Sequence, residues 1–145
     1  MTLAHWTQWL AGLWAGVLLC IALLAAPAAF AVLPTADAGR VAGRLFTQEA
    51  YLSLLLVVLL FAFERKRAMA DARAGRGSVL SANILLLMGA LFCTVAGYFA
   101  VQPMMASARA GQGAWSFGAL HAASAGFFAL KALLVCVLAW RMGAP

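Results

Sequence analysis

Residues 115–140, WSFGALHAASAGFFALKALLVCVLAW, run for more than the width of a membrane with one fully charged side chain, Lys131. A helix rises about 1.5 Å per residue, so about 20 apolar residues cross the roughly 30 Å hydrocarbon core of a bilayer. Working back from this stretch, residues 79–101, 45–63 and 9–33 repeat the pattern, separated by short charged or Gly/Pro-rich segments. The fold class that follows is all-α: a polytopic membrane protein, a four-transmembrane-helix bundle forming a single domain over residues 1–145.

Composition points the same way. With 66% hydrophobic and 10% charged residues and a mean hydropathy of +0.98, a 15.2 kDa globule in water would carry a largely apolar surface. The lipid bilayer is therefore the first expected partner. The net charge of +6 fits basic residues gathered at membrane edges, and no nucleic-acid partner is expected. Richness in Ala, Gly and Arg, with Lys66 and Lys131 the only lysines, suggests a bacterial gene and hence a bacterial inner membrane. Cys20, Cys93 and Cys136 fall inside spans without a C-x-x-C pairing, so neither a disulfide nor a thiolate metal site is expected.

Orientation follows from the loops. Arg65, Lys66, Arg67, Arg73 and Arg76 crowd residues 64–78, whereas the connection between spans three and four holds only Arg109. The positive-inside rule places residues 64–78 in the cytoplasm, and four spans put both termini there as well. Ala29-Phe30-Ala31 resembles a signal-peptidase site, but no Lys or Arg precedes span one and its apolar run exceeds the ~7–15 residues of an ordinary signal core. Span one is expected to be retained.

Ahead of span two, Thr35 is placed to cap a helix, and Asp37, Arg40, Arg44 and Gln48 recur at helical spacing opposite Val41, Leu45 and Leu52. This predicts a short amphipathic helical lead-in whose outer polar face, Asp37, Arg40 and Arg44, is either solvated or lines an outward vestibule. Small residues repeat every four positions at Gly12/Gly16, Gly39/Gly43, Gly89/Cys93/Gly97 and Gly118/Ala122/Gly126. Such ridges let helices approach closely in lipid, and a surplus small-residue face would serve a homodimer. A faint likeness between the halves, one turning at Pro34 and the other at Pro103, suggests a parallel repeat about the membrane normal.

Chemistry, where the sequence offers any, lies in span four. His121, Ser124, Phe128 and Lys131 share one helix face. A lysine at mid-helix costs about 2.5–3.5 kcal/mol on insertion, so it is either functional or snorkels to the headgroups. Glu49 and Glu64 fall near opposite ends of span two, leaving no carboxylate in a span interior; Lys131 is expected to reach backbone carbonyls, Asn83, Thr94 or water. His121 is expected to hydrogen-bond Ser53, Tyr98 or Gln102. A proton or metal step at His121 is the sharper alternative; a haem there would have His121 as its one histidine ligand, since His5 is expected at the opposite membrane face. There is no H-E-x-x-H, G-x-x-x-x-G-K or G-x-S-x-G motif, and no catalytic or metal residue is assigned.

Ala26-Pro27-x-x-Phe30-x-x-Leu33, Ala38-Gly39-x-x-x-Gly43-x-Leu45-Phe46-x-x-x-x-Tyr51, Gln102-Pro103 and Phe117-x-x-x-His121-x-x-Ser124 together resemble the bacterial domain of unknown function 4149 family, itself similar to the eukaryotic transmembrane protein 205. The resemblance implies a four-span integral membrane protein with no established reaction, and packing roles for Pro27, Phe30, Gly39, Gly43, Phe46 and Pro103. The eukaryotic relatives carry Arg, Gly and Asn where this chain has Ala119, Ala122 and Phe128, so the polar cluster is thinner here. A more distant likeness to four-helix membrane proteins of copper resistance and haem synthesis rests on fold analogy. The expected function is that of a non-enzymatic accessory or stress-linked inner-membrane protein. The alternatives are a small transporter or metal-handling permease, marked by a hydrated cavity reaching His121 and Lys131, and a haem-binding redox protein with His121 as its single protein ligand.

Overall fold

The computed structural model describes residues 3–143. Span one is built from α1 (Leu3–Cys20), a π-helical segment over Ile21–Ala25 and α2 (Ala26–Val32); span two is α3 (Thr35–Arg73). Span three joins α4 (Ala82–Thr94) through a second π-helical segment, Val95–Ala100, to α5 (Val101–Arg109), and span four is α6 (Phe117–Gly143). All four are long and apolar enough to cross a membrane, and only 22–39% of each span's most apolar window is buried inside the bundle. The remainder faces outward with Leu, Val, Phe and Trp side chains, as lipid requires.

The lead-in and span two form one helix. At 39 residues, α3 would be about 58 Å long at 1.5 Å per residue, so it projects beyond the hydrocarbon at both ends and continues through much of the basic segment expected as loop. Its N-cap is Pro34 rather than Thr35: the Pro34 carbonyl accepts from the backbone N–H groups of Asp37 (2.9 Å) and Ala38 (3.0 Å), and Thr35 is the first helical residue. Proline suits this place because it continues no hydrogen-bond ladder behind it.

Two helices end on the same device. Gly75 and Gly111 adopt φ +70° and +72°, the left-handed conformation that costs glycine nothing. Each lets the following N–H, of Arg76 or Gln112, reach back to the carbonyl of Asp71 or Ser107 at 2.9 Å, closing the helix terminus. At the start of α4 the Ser81 hydroxyl accepts from the Ile84 N–H at 3.3 Å.

The π-helical segments coincide with the prolines. Pro27 and Pro103 each deprive the carbonyl four residues earlier of its usual partner and crowd it; those carbonyls belong to Leu23 and Phe99, both inside π-helical turns. The wider turn relieves the crowding. The parallel between spans one and three therefore pairs Pro103 with Pro27 rather than with Pro34.

The core sits where α1, α3, α4 and α6 meet, around Trp14, Leu18, Leu60, Leu87, Val135 and Leu138, all 0% exposed. A smaller cluster of Val101, Met105 and Leu120 closes the other end between α5 and α6. Of the expected small-residue ridges, that of span three carries the intrachain packing. A Cβ on Gly97 would lie 2.5 Å from Phe127, and one on Gly89 3.0 Å from Leu134. Gly12, Gly16, Gly39, Gly43, Gly118 and Gly126 have nothing within 4 Å of a built Cβ and face outward.

Candidate functional site

Glu49 and Ser53 lie one helical turn apart on α3, which aims both at the bundle interior. Glu49 is 3% exposed, and Lys131 of α6, also 3% exposed, donates from Nζ to Oε1 and Oε2 of its carboxylate at 2.8 Å each. The Ser53 hydroxyl donates to Glu49 Oε1, and the indole Nε1 of Trp14 donates to Ser53 Oγ at 2.9 Å. Spans one, two and four are thus tied by a single chain of hydrogen bonds. The Phe128 ring, whose centroid is 5.1 Å from Lys131 Nζ, covers the ammonium, and Phe46 packs edge-on against Phe128 at 5.1 Å.

This overturns the expectation that Lys131 has no carboxylate in a span interior. With span two read as residues 45–63, Glu49 falls near its outer end; the helix in fact begins at Thr35. Depth is the signal that finds it: Glu49 and Lys131 each lie fourteen residues past the start of their helices, about 21 Å at 1.5 Å per residue, and spans two and four run in the same direction. Trp14 was equally illegible. Of the five tryptophans, Trp6, Trp9, Trp115 and Trp140 are 55–81% exposed, as interfacial anchors are; Trp14 alone is turned fully inward.

His121, Ser124 and Lys131 do not form one continuous site. Ser124 donates to the Gly97 carbonyl at 2.8 Å, satisfying a backbone group in the π-helical segment of span three. His121 is exposed and stacks on Phe117 with ring centroids 5.9 Å apart, and Arg109 covers the Phe117 ring at 4.6 Å. Two of its three expected partners are engaged elsewhere: Ser53 with Glu49 and Trp14, and Tyr98 with Thr47 Oγ1 at 2.7 Å. On the lead-in, Arg40 pairs with Asp37, and both are largely solvent-facing, as is Arg44. Phe46 alone of the six family-motif residues packs inward. Pro27, Phe30 and Pro103 are exposed, and the two glycines lie on the outer surface.

Among the described residues no buried side-chain nitrogen or oxygen lacks a partner, and no group of three His, Cys, Asp or Glu is placed to hold a metal ion. Among the described residues, two surface cavities stand out, and neither is lined by Glu49, Lys131 or His121. One, of about 590 Å³, follows Trp9, Gly12, Leu13, Gly16 and Cys20 along span one. The other, of about 150 Å³, is polar and lies between the basic ends of α3, α4 and α6.

These features define a multi-pass membrane protein, a four-helix bundle latched by a buried ion pair. Residues 9–114 match the model of the family described as "Domain of unknown function (DUF4149)". The chain belongs to that family. The match contains Trp14, Glu49 and Ser53 and ends before Lys131 and His121. No curated protein and no solved structure matches the chain.

Proposed function

We propose that the protein is a non-enzymatic accessory component of a bacterial inner membrane, working through its outward helix faces, with the Glu49–Lys131 pair as an internal latch. The observation that carries this reading is the closure of the pair: both carboxylate oxygens are engaged by one ammonium, and the two side chains are 2–3% exposed. A transporter needs such charges to meet water or cargo from each side in turn. Here the carboxylate is held by Lys131 and Ser53 and the ammonium is roofed by Phe128.

The same reading places both termini and residues 64–78 in the cytoplasm. Six of the ten basic residues, Arg65, Lys66, Arg67, Arg73, Arg76 and Arg141, lie at that end of the bundle, against Arg40, Arg44 and Arg109 at the other. The outward Gly12/Gly16 face, open along a groove of about 590 Å³, is where a second copy would dock.

Reconstitution into vesicles containing a pH dye or a metal-sensitive dye tests the reading. Flux no greater than in protein-free vesicles is expected. A protein-dependent flux that disappears in Lys131→Met would replace the accessory role with transport.

A further inference from the structure

The polar cavity at the basic end is lined by Glu64, Arg67, Asp71, Ser81, Asn83 and Arg141. Its volume of about 150 Å³ is far above the ~10–15 Å³ that one water requires. At its base, Glu64 is 4% exposed and accepts from Asn83 Nδ2 at 3.0 Å; Asn83 Oδ1 in turn accepts from Arg141 Nε at 3.1 Å. A buried carboxylate thus orients an amide, and the amide orients a guanidinium at the rim. Because Arg141 is gripped through Nε, its two terminal nitrogens remain for a bidentate acceptor.

Charge accounting gives the sign of the ligand. Glu64 has Arg67 at 4.0 Å and Asp71 has Arg76 at 3.6 Å. Arg141 is the lining cation with no carboxylate within 4.0 Å among the described residues. The lining itself holds two carboxylates and two guanidiniums; with Arg76, which pairs with Asp71 from outside the lining, three guanidiniums meet two carboxylates, and the excess positive charge complements one negative charge. The first turn of α4, from its Ser81 cap, also lines the cavity and adds the positive end of a helix dipole. The neighbouring Trp140 is 81% exposed, which sets the opening at headgroup depth.

We propose that this cavity binds a singly charged phosphate group through Arg141, with Asn83 and Glu64 as positioning residues; its source is either a phospholipid headgroup of that leaflet or free inorganic phosphate. Basic pockets between transmembrane helices take lipid phosphates in this way.

Thermal unfolding of the detergent-purified full chain tests the proposal, with added dioleoylphosphatidylglycerol, dioleoylglycerol or inorganic phosphate. The phosphatidylglycerol should raise the melting temperature of the wild type and the phosphate-free dioleoylglycerol should not. Arg141→Gln should weaken half-saturation roughly tenfold or more, the loss of one charged hydrogen-bonding partner, whereas Arg44→Gln at the opposite end should leave it unchanged. Asn83→Ala, which frees the guanidinium without removing its charge, should weaken binding by a smaller factor and covers the case in which Arg141→Gln fails to fold. An Arg141-dependent shift with inorganic phosphate alone identifies free phosphate as the source, and one confined to the lipid identifies the headgroup. Equal shifts in wild type, Arg141→Gln and Asn83→Ala, or no shift with either phosphate, would overturn the assignment.

Discussion

Lys131 shows how much one residue's environment decides. Alone at mid-membrane it would cost about 2.5–3.5 kcal/mol; held on both oxygens of Glu49 at 2.8 Å, it becomes a latch. Removing one member of such a pair strands the other. Glu49→Leu or Lys131→Met should therefore each destabilise the protein by about 3–5 kcal/mol, while the double variant should recover most of that loss. Denaturant unfolding in micelles, analysed as a double-mutant cycle, measures the coupling; additive single effects would remove the latch from the account. The lysine and its anomalous depth were legible in the sequence. Its partner was not, because Glu49 lies only four residues into an apolar run that begins at residue 45 and so reads as an end residue until the helix is known to begin at Thr35.

Among the helices, the glycines divide by what they meet. Spacing alone made four equivalent ridges, since small residues every fourth position look the same whichever way the helix is turned. Only the span-three ridge faces another helix. Gly97→Ala would set a methyl 2.5 Å from Phe127 and should cost about 1–3 kcal/mol through forced repacking, read as a lower unfolding midpoint. Gly12→Ile, by contrast, meets nothing within 4 Å of its Cβ and should leave that midpoint nearly unchanged. It should instead reduce oxidative cross-linking through Cys20, an exposed cysteine lining the same groove. Unchanged cross-linking would remove this face from the proposed dimer. The prolines show the same limit of local reading: Pro27 and Pro103 were visible as motif residues, whereas the π-helical turns that accommodate them belong to the folded backbone.

At the scale of the whole molecule, the charge asymmetry between the two ends makes a topological prediction. With native cysteines replaced, Arg73→Cys and Gly111→Cys should react with a membrane-impermeant thiol reagent from opposite sides, Gly111→Cys from the periplasm. Labelling of both from the periplasm would overturn the orientation. The four spans, the all-α class and the uneven distribution of basic residues are written in the chain's hydropathy and charge, which act residue by residue over a stretch as long as a bilayer is thick. Folding adds the rest: Glu49 meets Lys131 across 82 residues of sequence, Trp14 turns inward and His121 outward, and Arg141 is held over a polar cavity. Those outcomes depend on the rotation and depth of each helix against its neighbours. Packing among all four spans sets both at once, and no single span records them.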